Sequence, residues 1–290
     1  MLIAAKKRST VDALKEQLKS AFSMKDLGAA EHVLGVRIRR QRDQRILYLS
    51  QEKYIEKEDC PNSKEATNDM QSVPYASACG SLMYAMVATR PDIAHAVGVV
   101  SRFMANPGRL HWDAVKSIMR YLKGTKNKCL CYGKGPFELK GFCDSDMAGD
   151  VDTRKSTSGY VFTLAGGVVS WCSRLQKIVA LSTTEAEYIS ATEASKEAIW
   201  LARLCSEFGL PDKAPMLGCD SQSAICLARN AMFHARTKHI DVRYHFIREV
   251  LEDGLITLVK VHTSQNPADA LTKCLLKAQH QLCIQMVGVT

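Results

Sequence analysis

Within "LSTTEAEYISA", residues 181–191, two glutamates stand two positions apart where the pattern predicts the start of a helix. Side chains two apart on a helix point in different directions, so at most one of Glu185 and Glu187 heads a face that packs inward. Ser182 with Glu185 three residues later forms a capping box, in which the serine oxygen takes one free backbone N–H and the glutamate reaches back to another. Glu185 is thereby expected at the solvated rim. Helical spacing carries Glu187 along Ala191, Ala194, Ala198 and Ala202, small residues that let a helix lie close against a sheet. From Glu185 it leads to Ile189, Thr192, Glu193 and Lys196, a wetter line. Glu187 is therefore the carboxylate aimed at the sheet, where a lone charge must be paired or bound to a cation.

Three aspartates are placed to join it. "GFCDSD" ends a strand-like run at Asp144, "GCDSQ" ends another at Asp220 just before a helix, and "NPAD" sets Asp269 in the first turn of a last helix. Strand ends and the starts of the following helices converge at one edge of an α/β sheet. Taken singly, Asp144 is a strand-end residue and Asp220 and Asp269 are helix-start residues favoured by the helix dipole; four carboxylates at matched element ends form a joint pattern. No Lys or Arg lies beside Glu187 on its stripe, so the set points to a hard divalent metal, Mg²⁺ or Mn²⁺.

Elements that would position these residues are legible in the periodicity. "STVDALKEQLKSAF" (9–22) has a helical period, with Ser9 or Thr10 as its cap, and residues 32–51 alternate on both sides of a polar turn near Asp43, a hairpin. Five arginines fall within 37–45, either a solvated edge ribbon or a phosphate-contacting one. Periodicity is lost over 55–74, a linker. Helices are expected at about 75–88, 92–105 and 111–123, separated by Pro91 and "NPG" and stopped by Gly124. Strands are expected at 137–144, 157–164, 168–173, 177–182, 216–220 and 255–262. Helices are expected at 184–208, from Ser221, at 239–252 and from "NPAD". Strands first, then alternation with helices, indicates an α/β sheet with covered faces.

Composition bounds the class. The 290 residues, 46% hydrophobic and 24% charged, describe one or two globular domains. There is no apolar run long enough to span a membrane, and "MLIAAKKRST" has its apolar and basic parts in the wrong order for a secretory signal. The 11 cysteines show neither paired CxxC nor a Cys/His zinc pattern and are expected as free thiols. Residues 1–136 carry 23 Lys/Arg against 13 Asp/Glu, whereas 137–290 carry 16 against 17, so a basic half suggests a polyanionic partner.

Seven stretches together resemble the C-terminal part of the Pol polyprotein of plant copia-type LTR retrotransposons over nearly the whole chain. They are "GSLMYAMVATRPDIAHAVGVVSRFMANPGRLHW", "AVKSIMRYLKGT", "DSDMAGDVDTRKSTSGY", "LSTTEAEYISATEA", "CDSQSAICLARN", "RTKHIDVRYHFIRE" and "NPADALTK". The resemblance implies a remnant of the reverse transcriptase palm at 1–60, a helical connection at 61–134, and a ribonuclease H-like mixed sheet flanked by helices at 135–290. It puts the D-E-D-D metal set of ribonuclease H on Asp144, Glu187, Asp220 and Asp269, in agreement with the helix-face argument. The histidine that many such enzymes carry before the last aspartate would be His262, for which a satisfied strand-end residue is an equal alternative. Implied are two Mg²⁺ or Mn²⁺ ions and hydrolysis of the RNA strand of an RNA–DNA hybrid. Thr184 and Gln222, beside the metal ligands, are candidates for contacting the 2′-OH. Arg154 and Lys155 are either phosphate contacts or a solvated turn.

Two departures from the family stand out. Its paired polymerase aspartates precede a stretch like "MLIA", which here begins the sequence, so no polymerase activity is expected. Near 57–60, "SQEKYIEK" runs directly into "EDCPNS" where the family has a longer segment, as after an internal deletion or in a mis-spliced gene model. Partners implied are the hybrid and the remainder of the Pol polyprotein, without a membrane, in cytoplasmic virus-like particles. The competing readings are a catalytically inactive remnant that only binds nucleic acid, and another nuclease of the same superfold.

Overall fold

The computed structural model describes residues 2–57, 70, 73–211, 213–230, 240 and 242–290. Helix α1, Arg8–Ala21, follows the expected periodicity, although Lys7 stands at its N-cap and no side chain caps it. Strands β1 (His32–Val33), β2 (Val36–Gln41) and β3 (Ile46–Ser50) form an antiparallel meander. The polar turn near Asp43 joins β2 to β3 as predicted, and the arginines of β2 are exposed, Arg39 lying 4.5 Å from the centre of the Tyr48 ring. The junction expected near 57–60 and most of the expected linker lie outside the described residues.

After α2 (Glu52–Lys57) come α3 (Tyr75–Ala88), α4 (Ala94–Ser101) and α5 (Arg109–Gly124). The helix expected at 92–105 is shorter, because a 3-10 turn over Pro91–Ile93 leads into α4. Cys79, Leu82, Val97, Val115, Ile118 and Leu122 form the core of this helical layer. Strand β4 (Leu130–Tyr132) then returns to pair antiparallel with β3, Leu47 opposite Tyr132.

A second sheet follows. Strands β5 (Lys140–Ser145), β6 (Thr157–Leu164) and β7 (Gly167–Leu175) form an antiparallel meander. Helix α6 (Thr183–Glu207) crosses to β8 (Met216–Cys219), then α7 (Gln222–Arg229) and α8 (Phe246–Glu252) lead to β9 (Thr257–Lys260). Strands β8 and β9 join parallel to β5, in the order β7-β6-β5-β8-β9. The sheet is mixed and flanked by helices, as expected. Ala191, Ala194 and Ala198 of α6 are buried against Cys143, Phe162, Leu217 and Cys219, so the small-residue stripe does bring the helix onto the sheet.

Three further expected elements differ, the first being the helix expected at 239–252, where a 3-10 turn over Val242–His245 precedes α8. Residues 177–182 are not a strand: Gln176 Nε2 donates to Ser158 Oγ (2.9 Å) and to Ala186 O (2.9 Å), pinning a loop across β6 and the start of α6. The helix expected to open at "NPAD" is a 3-10 turn, Pro267–Leu271, followed by a separate helix α9, Lys277–Met286. The chain closes back on its helical layer. Val289 bridges Leu130, and Ala94, Leu130, Val161, Val168, Leu271, Ile284 and Val289 share one core cluster. All ten cysteines among the described residues are free.

Candidate active site

The parallel register of β5 and β8 builds the site. Cys143 pairs with Cys219, so the residues that follow them, Asp144 and Asp220, lie side by side where the two strands end. The turn carrying Asp269 then packs across β6 next to Asp144. Gly159, the partner of Asp144 in β6, makes that approach possible: a Cβ there would lie 2.7 Å from Thr272 Cγ2 and 2.8 Å from Leu271 Cβ. Asn266 holds the turn from below, its Nδ2 donating to Cys143 O (2.9 Å) while its Oδ1 accepts from Ala268 N–H (3.2 Å). Ser190 Oγ donates to Asp144 O (2.6 Å), fastening α6 to β5 one turn after Glu187.

Carboxylate oxygens of Asp144, Asp220 and Asp269 lie within 4.8 Å of one another, and Glu187, Cys219 and Asp220 offer a second group at the same spacing. Asp220 belongs to both, so all four carboxylates meet at one edge. Asp144 and Asp269 are each 1% exposed. Burial pushes Glu187 up to about 10, and the negative charges of Asp144, Cys219 and Asp220 act the same way, against a backbone N–H from Ser145. Burial likewise lifts Asp144 to about 7, against the pull of Lys273 and the Thr272 hydroxyl. Asp269 is raised by burial too, again opposed by Lys273.

Glu185 and Glu187 separate as expected in partners but not in exposure. Ser182 Oγ accepts from Glu185 N–H (3.2 Å), and Glu185 Oε2 accepts from the backbone N–H of Leu181 (2.8 Å), one residue before the cap. The solvated rim expected for Glu185 is a correction: it is 2% exposed, because the 176–182 loop folds over the first turn of α6. Ile189 and Thr192 on its stripe are buried as well. Glu187 Oε2, by contrast, is buried without a hydrogen-bond partner.

The other predicted residues are less concentrated. His262 is exposed and caps a 3-10 turn, its Nδ1 accepting from Ser264 N–H (3.2 Å); it belongs to neither carboxylate group. Thr184 sits half-buried in the first turn of α6, and Gln222 opens α7, exposed, two residues after Asp220. Arg154 is exposed at a positive φ of 57° in the β5–β6 loop, where Arg154 N–H donates to Asp150 O (2.8 Å) and Lys155 O accepts from Asp150 N–H (3.1 Å). The structure thus places this pair in a built turn.

Sequence reasoning missed Lys273. Its Nζ lies 3.1 Å from Asp269 Oδ1 and 3.4 Å from Asp144 Oδ2, so a cation does stand in the cluster, contrary to the expectation that none would. Lys273 does not lie on the stripe of Glu187; it stands four residues past Asp269, its N–H bonded to Asp269 O (3.2 Å). Thr272 was missed with it: its hydroxyl donates to Asp144 Oδ2. The "NPADALTK" stretch carried the signal for both.

One lysine does not satisfy four carboxylates. The unpartnered Glu187 Oε2 and the all-oxygen donor set of the aspartates fit hard divalent cations, which take oxygen ligands. Fold and site define a mixed α/β protein with an acidic cluster at the ends of its central parallel strands. No family model matches the chain. It is 54% identical to the retrovirus-related Pol polyprotein from transposon TNT 1-94 of Nicotiana tabacum, a match covering 100% of this chain and 24% of that protein. It is 34% identical to a Saccharomyces cerevisiae transposon Ty5-1 protein, over 68% of this chain and 70% of that one. The chain belongs to the retrotransposon Pol family. It spans about a quarter of the length of the tobacco relative. Among solved structures, the ribonuclease H1 of Halobacterium salinarum aligns with 47% of this chain and 94% of its own at 20% identity and a TM-score of 0.31. No helix among the described residues is long and apolar enough to cross a membrane.

Proposed function

We propose that residues 135–290 form a ribonuclease H-type domain that hydrolyses the RNA strand of an RNA–DNA hybrid, that residues 1–60 belong to the C-terminal part of a reverse transcriptase palm, and that residues 61–134 are a helical connection. The observation that carries the reading is the meeting of Asp144, Glu187, Asp220 and Asp269 at one sheet edge, in a chain of the retrotransposon Pol family. When bound there, two Mg²⁺ or Mn²⁺ ions would supply Lewis acidity at the scissile phosphate and a nucleophilic water at neutral pH. Asp144 and Asp220 hold the centre of the site, Glu187 one flank and Asp269 the other. Their burial keeps the donor oxygens in place, and the Thr272 hydroxyl and Ser190 orient Asp144 from two sides.

Thr184 and Gln222, at the starts of α6 and α7 beside the ligands, are assigned to the ribose 2′-OH, which distinguishes RNA from DNA. Arg154 and Lys155 are assigned to phosphate, and Asp269 with His262 to proton transfer and product exit. The partners are the hybrid and the remainder of the Pol polyprotein, in a cytoplasmic particle. The test is metal-dependent cleavage of a labelled RNA–DNA hybrid by the full chain, wild type beside Glu187→Gln and Glu185→Gln. Cutting by wild type and Glu185→Gln but not Glu187→Gln is the expected result. A folded wild-type protein that binds the hybrid and cuts nothing would leave only the binding module, and equal cutting of duplex DNA would assign another nuclease chemistry.

A further inference from the structure

The cation inside the acidic cluster differs from the carboxylates it serves. The side chains of Asp144 and Asp269 are each 1% exposed, whereas that of Lys273 is 38% exposed. The aspartates are held from several directions: Asp144 by the Thr272 hydroxyl, and Asp269 by the 3-10 turn and by Gln279 Nε2 at 3.5 Å. Lys273 is attached to the cluster by its ammonium alone, on a flexible four-carbon stem whose backbone N–H is already bonded to Asp269 O (3.2 Å). Its ammonium can leave the cluster by rotation of that stem, without moving the backbone.

We infer that Lys273 is a displaceable internal counter-ion: in the metal-free protein its ammonium bridges Asp144 and Asp269, and a divalent cation entering the site must expel it toward solvent. The inference rests on the reading of these carboxylates as metal ligands. Buried carboxylates this close repel one another, and a single positive charge between two of them relieves that repulsion when no metal is bound. The same oxygens cannot serve an ammonium and a metal at once, and a binding-competent state that is only partly populated weakens apparent affinity by that fraction. Lys273 thereby stabilises the empty site and sets the metal concentration at which it fills.

The experiment is calorimetric titration of the full chain with MnCl₂, wild type beside Lys273→Met and Lys273→Arg, with circular dichroism confirming that each is folded. Lys273→Met is expected to bind Mn²⁺ about tenfold more tightly or better, since a unit charge a few ångströms from the ion is removed. Lys273→Arg, which keeps the charge, is expected to stay near wild type. Equal or weaker binding by Lys273→Met overturns the inference, as does Lys273→Arg binding as tightly as Lys273→Met, which would trace the effect to side-chain shape. Absence of Mn²⁺ binding in all three proteins overturns it together with the metal site. Hybrid cleavage in the same preparations separates the two ideas. Cleavage without a gain in Lys273→Met leaves the ribonuclease reading standing alone, whereas a gain without cleavage leaves the counter-ion standing alone.

Discussion

Two groups of buried carboxylates in this chain are treated in opposite ways. In the helical layer, Asp92 is bound by Arg90 through two contacts, Nε to Oδ1 at 2.9 Å and Nη2 to Oδ2 at 2.7 Å, and both side chains are fully buried. The Tyr121 hydroxyl adds a third bond at 2.7 Å, and Arg90 also donates to Thr125 O (3.2 Å) and Thr125 Oγ1 (2.6 Å). Burial alone would raise Asp92, yet the guanidinium outweighs it and the carboxyl stays below its ordinary value. At the sheet edge, four carboxylates share one lysine, Glu187 is lifted to about 10 and Asp144 to about 7. The first group is complete within the protein. The second is complete only with something added. Buried charge by itself does not mark a functional site; buried charge left without a partner does.

Breaking the completed group should cost most. Arg90→Met strands Asp92 and is expected to destabilise the fold by about 3–5 kcal/mol, read by chemical denaturation, while the folded fraction keeps its cleavage rate. A loss under about 1 kcal/mol would show that Asp92 is less dependent on Arg90 than the contacts indicate. At the sheet edge the expected loss is of activity instead. Glu187→Gln should lower hybrid cleavage by more than about a hundredfold, beyond what removal of an outer-shell partner usually costs, with no loss of stability. Gly159→Ala tests how the site is assembled. Its Cβ would press on Thr272 and Leu271, at about 1–3 kcal/mol of overpacking, so both stability and cleavage should fall together.

The smallest effect is one of sign. A carboxyl raised in the folded state contributes stability below its unfolded pKa and loses it as pH rises through the folded value. Without metal, Asp144 should therefore erode thermal stability as pH climbs from about 4 toward 7. Asp92, which is lowered, works the other way, losing its contribution only as pH falls below the ordinary carboxylate range. Melting curves in chelator and in Mg²⁺ at pH 5 and pH 8 separate the two: Mg²⁺ should raise the melting temperature more at pH 8. An equal gain at both pH values would mean that the cluster is already ionised and balanced without metal.

Much of this was legible from spacing. The periods of α3, α5 and α6, the hairpin of β2 and β3, and the small-residue stripe that starts at Glu187 follow from which residues share a helix face or alternate along a strand, whereas the line of Glu185, read as wetter, has Ile189 and Thr192 buried too. What was not legible came from contacts between distant segments. Residues 177–182 are a short apolar, strand-like run, yet Gln176, bonded to Ser158 and Ala186, pins them as a loop. Glu185 is buried by that same loop.

The sequence by itself determined most of the helices and strands, the four carboxylates at their ends, and the family, because local periodicity and ordered motifs are properties of the chain alone. Only the tertiary structure decided that β5 and β8 run parallel in a register that sets Asp144 beside Asp220, and that Gly159 admits the turn bearing Asp269. Only it showed that Lys273 stands between two of the aspartates. Each of these depends on surfaces far apart in the chain meeting at short range, where a missing Cβ or one added charge changes the outcome and no period along the sequence records it.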